Sequence, residues 1–420
     1  MLVEFSVRNY RSIRDRQTLS LVGGSSQRIR DIGIETGDRG VPRLVPAAAV
    51  FGPNGAGKTT LVKALGAMRR LVVDSARESQ EGDPLDLAPF RLSAATRAAP
   101  SEFEIIFRED DIRFQYGFVA DDTRVHEEWL FARPPGGRTQ RWFERRGPRE
   151  EWYVNPSLKG EKEAWKQSTR DNALFLSSAV QLNATPLRVP FNWFHSRLQV
   201  IRSSERLGES FSVRQCEDPD MKRRILHLMQ AAGVDVSDIR ITEHPFPVDQ
   251  VKIKELPQDI SVVLSKALSD ATWARTAFGH RADDDRLVYL DLDTEESDGT
   301  RVLFALAGPW LDVLDNGLVV VVDELSNSLH PLAFRRLIDF FHDKETNPHG
   351  AQLVLTTHDT SVLDRDFLHS DQIWMVERTR DLATTVTPLS DYKVRAHESL
   401  QRGYLAGRYG AVPMDEREGA

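Results

Sequence analysis

Gly52-Pro53-Asn54-Gly55-Ala56-Gly57-Lys58-Thr59, with Thr60 behind it, spells GxxxxGK[ST] in full. Glycines in such a loop let successive backbone N–H groups curve around phosphate oxygens, and the N-terminus of a following helix adds its positive end. Lys58 is expected to bridge the β- and γ-phosphates of a nucleotide, and the Thr59 hydroxyl to ligate Mg²⁺. Much further along, Val319-Val320-Val321-Val322 runs into Asp323-Glu324. Carboxylates at the end of a buried strand stand where nucleotides bind in parallel sheets. Asp323 is expected to hold Mg²⁺ through water, and Glu324 to polarise an attacking water. An apolar strand on its own also commonly ends in a solvated acidic turn, and only the phosphate loop elsewhere in the chain favours the chemical reading.

Two weaker pieces flank the acids. Glu296-Ser297-Asp298-Gly299-Thr300 opens a helical stretch, and Ser297 with the Gly299 backbone can present donors to a phosphate. The same residues also read as a plain helix cap. Val354-Leu355-Thr356-Thr357-His358-Asp359 puts His358 at the end of the next strand, within reach of a γ-phosphate. A lone histidine there is equally consistent with a structural role.

The elements that must carry these groups are readable in outline. Leu2 to Val7 alternates as a strand does, and a polar, Gly-rich stretch leads to the buried strand Ala47 to Phe51. Thr59 to Val73 has helical spacing, with Leu61, Leu65, Met68 and Val72 on one side. Phe103–Phe107, Arg113–Val119 and Glu128–Phe131 read as a β meander, and Asp220–Ala232 and Ile260–Thr272 as helices. From Leu287 onward strands and helices alternate as in a parallel α/β sheet: strand 287–290, helix 300–314, strand 318–322, helix 333–341, strand 353–356. The expected division is an N-terminal ATPase segment over 1–147, a mostly helical insertion over 148–284, and a C-terminal ATPase segment over 285–420.

The order of these pieces, phosphate loop, S-x-G helix, Asp-Glu strand, strand histidine, resembles the ABC-type ATPases, including SMC-like heads. An AAA+ motor also carries Asp-Glu after its acidic strand, but it keeps both ATP motifs in one compact core. The resemblance implies an α/β P-loop NTPase of ABC-ATPase, SMC-head-like type with an antiparallel β subdomain. It also implies ATP and Mg²⁺ as ligands, and a homodimer in which Ser297 and Gly299 meet the γ-phosphate held by the other copy. Ser326-Asn327-Ser328-Leu329-His330-Pro331 falls where that family has its D-loop, and Arg11 is implied to lie near the nucleotide. VEFSVRNYRSIRDRQTLSL, PLDLAPFRL, DELSNSLHP and YLAGRYGAVP are similar to the AbiL/RloA-type ATPases of bacterial defence loci. That likeness covers the two ATPase segments and implies a sensor or scaffold controlling a separately encoded effector. An SMC-like DNA repair or remodelling ATPase, or an OLD-like nuclease with catalytic residues in the insertion, are the alternatives. Gln80 is a candidate Q-loop glutamine.

Composition narrows the classes further. With 40% hydrophobic and 28% charged residues the chain is ordinary for a globular protein, and its net charge of −8 argues against a surface coated with nucleic acid. A single cysteine, Cys216, excludes an internal disulfide and suits a reducing compartment. No apolar run approaches the ~18 residues of a membrane span, and the N-terminus lacks a leader pattern, so a cytoplasmic protein without membrane partners is expected. No heptad series codes a long coiled coil, and with few residues after His358 no Toprim nuclease domain is expected. Arg275 to His280 matches R-x4-H at chance frequency. Arg133, Arg138, Arg141, Arg145, Arg146 and Arg149, with Trp142 and Phe143, form either a nucleic-acid grip or a solvated hairpin.

Overall fold

Strands with no polar face must be covered on both sides. Ala47–Phe51 (β5) and Val319–Val322 (β15) are of this kind, and every residue in both is buried. They lie in a six-stranded sheet with Leu198–Ile201 (β11), Gln352–Thr357 (β16), Ile373–Arg378 (β17) and Thr384–Pro388 (β18), in the order β11-β15-β16-β5-β17-β18. All neighbours run parallel except β17 and β18. β16, which His358 follows, therefore stands between the acidic strand and the phosphate-loop strand.

The computed structural model describes residues 1–203, 207–245, 272–394 and 398–412. They divide into two units: residues 1–204, 313–326 and 337–420 form the first, and 205–312 with 327–336 the second. Residues 148–203, which the sequence reading placed in the insertion, pack in the first unit.

Beside the parallel sheet, the first unit holds a seven-stranded antiparallel sheet. It runs Tyr153–Val154 (β10), Gln140–Arg146 (β9), Val125–Arg133 (β8), Ile112–Ala120 (β7), Ser101–Glu109 (β6), Leu2–Arg8 (β1), Gln17–Ser20 (β2). Alternation puts Phe103, Ile105, Phe107, Phe114, Tyr116, Phe118, Leu130 and Phe143 into one core with helix α1, Lys58–Asp74. The stripe expected on that helix, Leu61, Leu65, Met68 and Val72, is buried there. Each such side chain contributes about 1.5–3 kcal/mol by burial. One buried acid organises this core: Glu128 accepts from the N–H groups of Phe175 (2.5 Å) and Leu176 (3.0 Å) at the start of helix α2, Phe175–Gln181, and from the Tyr116 hydroxyl at 2.9 Å. Burial raises the Glu128 pKa, and Arg145, 3.9 Å away, opposes that shift.

In the second unit Asp238–Pro245 (β12), Thr272–Arg281 (β13) and Leu287–Asp291 (β14) form an antiparallel sheet. Helix α3 is Pro219–Ala231, and helix α4, Asp298–Asn316, starts in this unit. Phe278 of β13 packs edge-on against Phe304 of α4, ring centroids 5.2 Å apart. Pro309 interrupts α4, since it has no N–H for the i−4 carbonyl. One rung earlier the Ser212 hydroxyl enters the ladder, accepting from Gly308 N–H at 3.0 Å and donating to the Phe304 carbonyl at 2.6 Å.

Several expectations change. Leu287–Leu290 is a strand of the antiparallel sheet of the second unit, not of the parallel sheet. Within 148–284 the described residues include the strands β10, β11, β12 and β13 beside the helices. The Gly-rich stretch before β5 contains the helix Gln27–Ile32 and a hairpin of Ile34–Asp38 (β3) with Val41–Leu44 (β4). The expected helix over 260–272 lies outside the described residues up to 271, and Thr272 opens β13.

Candidate nucleotide site

The loop between β5 and α1 leaves the parallel sheet at Phe51 and turns into the helix through Gly57, whose φ of 116° is left-handed. Asn54 and Gly55 are exposed, while Lys58 is 5% exposed and its Nζ donates to the carbonyls of Gly52 (2.7 Å) and Pro53 (3.3 Å). Burial lowers the Lys58 pKa, opposed by the charges of Glu324 and then Asp323. The ammonium of the loop and the two acids of the distant strand thus share one electrostatic neighbourhood.

Thr356 orders those acids. Its hydroxyl donates to Asp323 Oδ1 at 2.6 Å and accepts from the Glu324 N–H at 2.8 Å. The Asp323 N–H donates to the Ile201 carbonyl of β11 at 2.9 Å, so strands on both sides of β15 fix the point where the acids emerge. Asp323 is buried and Glu324 half-buried, the latter with a left-handed φ of 54°. That conformation is costly for a non-glycine residue and is found disproportionately at functional sites. Next to it, Ser326 Oγ and Thr357 Oγ1 are 2.8 Å apart, and Thr357 Oγ1 accepts from Asp359 N–H at 2.9 Å. His358 lies between these two residues and is exposed.

Arg11 sits in the turn after β1, with a left-handed φ of 51° and its Nε donating to the Tyr10 hydroxyl at 3.1 Å. Its neighbour Ser12 brings that turn to the phosphate loop, with Ser12 Oγ 2.9 Å from Thr60 Oγ1. Gln80 follows α1 in an irregular loop, its carbonyl accepting from Asn172 Nδ2 at 2.6 Å. The Thr59 hydroxyl and the Asp323 carboxylate are hard oxygen donors of the kind Mg²⁺ takes.

Ser297 and Gly299 belong to the second unit. Ser297 caps α4, its Oγ accepting from Thr300 N–H at 3.1 Å. A Cβ on Gly299 would lie 2.8 Å from the Ser328 carbonyl, so close backbone approach excludes a side chain here. A cavity of about 590 Å³ opens beside this helix start, with Glu209, Asp298, Arg301 and Ser328 in its wall.

The weaker sequence signals resolve differently. Arg275 pairs with Asp291 at 2.5 Å and His280 with Glu296 at 2.6 Å. Five residues apart on β13, they face opposite sides of the sheet and cannot share a reaction centre. In the arginine-rich segment, Arg145 is buried on the carbonyls of Ala173 and Asp171, Arg146 pairs with Glu127, and Arg141 stacks on Tyr153 while bonding Glu144. These arginines serve the hairpin's own structure. Thr356, Ser12 and Thr384, by contrast, were not singled out by sequence, since isolated hydroxyl residues carry no pattern. Among the described residues no helix is long and apolar enough to cross a membrane.

A family model described as "AAA domain, putative AbiEii toxin, Type IV TA system" matches residues 47–364, from the start of β5 to beyond His358. The match covers most of the chain, which therefore belongs to this family of P-loop AAA ATPases. Among solved structures the chain is similar to an SMC head bound to the C-winged helix domain of ScpA, at 13% identity over 92% of this chain and 96% of that one, TM-score 0.43. It is also similar to the SMC head domain from Thermotoga maritima, at 12% identity over 92% and 98%, TM-score 0.39. A third is the Smc head domain with an extended coiled coil bound to the C-terminal domain of ScpA derived from Pyrococcus furiosus, at 13% identity over 97% and 98%, TM-score 0.40. No curated protein matches the sequence.

Proposed function

We propose that the chain binds and hydrolyses Mg-ATP as a nucleotide-dependent homodimer. The observation that carries this reading is the convergence of Lys58, Asp323 and Glu324, with Thr356 bonded to both acidic positions. In this reading the phosphate-loop residues Gly52 to Thr60 cradle the triphosphate, and Lys58 exchanges its loop carbonyls for phosphate oxygens. Thr59 and Asp323 would hold Mg²⁺, which would supply charge neutralisation at the phosphates. Glu324 accepts a proton from the attacking water as its oxygen bonds to the γ-phosphorus. The bond from that phosphorus to the β–γ bridging oxygen breaks, giving ADP and inorganic phosphate. His358 touches the γ-phosphate, and Arg11 lies near the nucleotide. Ser297 and Gly299 meet the nucleotide of the other copy, so neither copy completes a site alone.

The wider role is that of a sensor or scaffold ATPase in an anti-phage defence system, acting on a separately encoded effector. The AbiEii wording of the family description and the AbiL/RloA-like strings support it. Lys58→Ala is expected to abolish Mg-ATP binding in isothermal titration and, in cells, protection from phage. Binding retained within a few-fold of the parent would remove the nucleotide site from the account. Protection retained by a non-binding variant would remove ATP from the defence role.

A further inference from the structure

Strand β18 opens with Thr384, which is 1% exposed and buried against the phosphate loop. Its Oγ1 is 2.8 Å from the Ala56 carbonyl and 2.8 Å from Ser12 Oγ, and Ser12 Oγ is 2.9 Å from Thr60 Oγ1. The Thr384 N–H also donates to the Ser12 carbonyl at 2.8 Å. Each hydroxyl has one hydrogen, and the Ala56 carbonyl can only accept. Thr384 Oγ1 is therefore the donor, its hydrogen shared between the Ala56 carbonyl and Ser12 Oγ, and Ser12 Oγ donates in turn to Thr60 Oγ1. The contact closes on the loop immediately before Lys58, because a Cβ on Gly57 would lie 2.1 Å from Thr384 Oγ1.

We propose that Thr384, with Ser12 as its relay, is a positioning residue of the phosphate loop. A loop containing Gly55 and Gly57 loses much conformational freedom when it wraps a ligand. The hydroxyl chain holds Ala56 and Gly57 in place beforehand, so the following N–H groups and Lys58 stay aimed at the phosphates. It also ties the loop to the turn that carries Arg11. This inference rests on the nucleotide reading of the Lys58 site.

The test is Mg-ATP affinity by isothermal titration in the Glu324→Gln background, which suppresses turnover. Thr384→Val, which keeps the branched shape and removes the hydroxyl, is expected to weaken binding on the order of tenfold, the equivalent of one buried hydrogen bond. Thr384→Ser is expected to restore it, and Ser12→Ala to weaken it several-fold. Thr385→Val on the same strand serves as control, because Thr385 Oγ1 is buried without a partner. Its affinity should match the parent's. Ser12→Ala leaves β18 untouched and decides the matter should Thr384→Val not fold. Parental affinity in both Thr384→Val and Ser12→Ala, or equal losses in Thr384→Val and Thr385→Val, would overturn the inference. Lys58→Ala in the same series separates the two claims. If Lys58→Ala binds normally the site reading itself fails, whereas its loss of binding beside an unaffected Thr384→Val sinks the positioning role alone.

Discussion

At the scale of single residues, the acids at the end of β15 depend on a hydroxyl two strands' worth of sequence away. Thr356 bonds both Asp323 Oδ1 and the Glu324 N–H, and it is fully buried. Thr356→Val leaves both groups without that partner and is expected to cost about 1–3 kcal/mol of stability, measured as a shift in the urea midpoint. Turnover is expected to fall more than Mg-ATP affinity, and Thr356→Ser to restore both. Full turnover in Thr356→Val would show that the hydroxyl does not orient the acids. The phosphate loop and Asp323-Glu324 were legible because their chemistry is written in consecutive residues. Thr356, Ser12 and Thr384 were not, because their roles arise only from pairing with residues far away in sequence.

At the scale of elements, helix α4 combines a start that presents Ser297 and Gly299 with a ladder that Ser212 enters at Gly308, beside Pro309. Ser212→Ala removes the hydroxyl joining Gly308 N–H to the Phe304 carbonyl, two buried main-chain groups. The expected cost is about 1–3 kcal/mol, read as a lowered thermal midpoint. An unchanged midpoint would mean that the helix closes its own ladder without Ser212. Elements with strong periodicity, such as α1 and β5, could be located from sequence to within a residue or two. The edge strand β11 could not, because Leu198-Gln199-Val200-Ile201 is short and lies among helical turns, and only its pairing with β15 makes it a strand. The pairing of Leu287–Asp291 was equally hidden, since a strand's sequence does not say which sheet receives it.

At the scale of the whole molecule, the chain keeps the candidate catalytic groups Lys58, Asp323 and Glu324 in one unit and Ser297, Gly299 and Ser328 in the other. The proposed homodimer gives the second set its purpose, as the group that closes on a nucleotide held by the partner copy. The order of motifs suggests this arrangement only through family resemblance, because no pattern within one chain encodes a contact with its copy. The most direct test is the solution mass of the Glu324→Gln protein, by light scattering on a sizing column, with and without Mg-ATP. Trapped ATP is expected to double the mass, and adding Ser297→Arg to abolish the doubling while leaving ATP binding intact. A mass indifferent to ATP in a protein that binds it would contradict the nucleotide-dependent dimer.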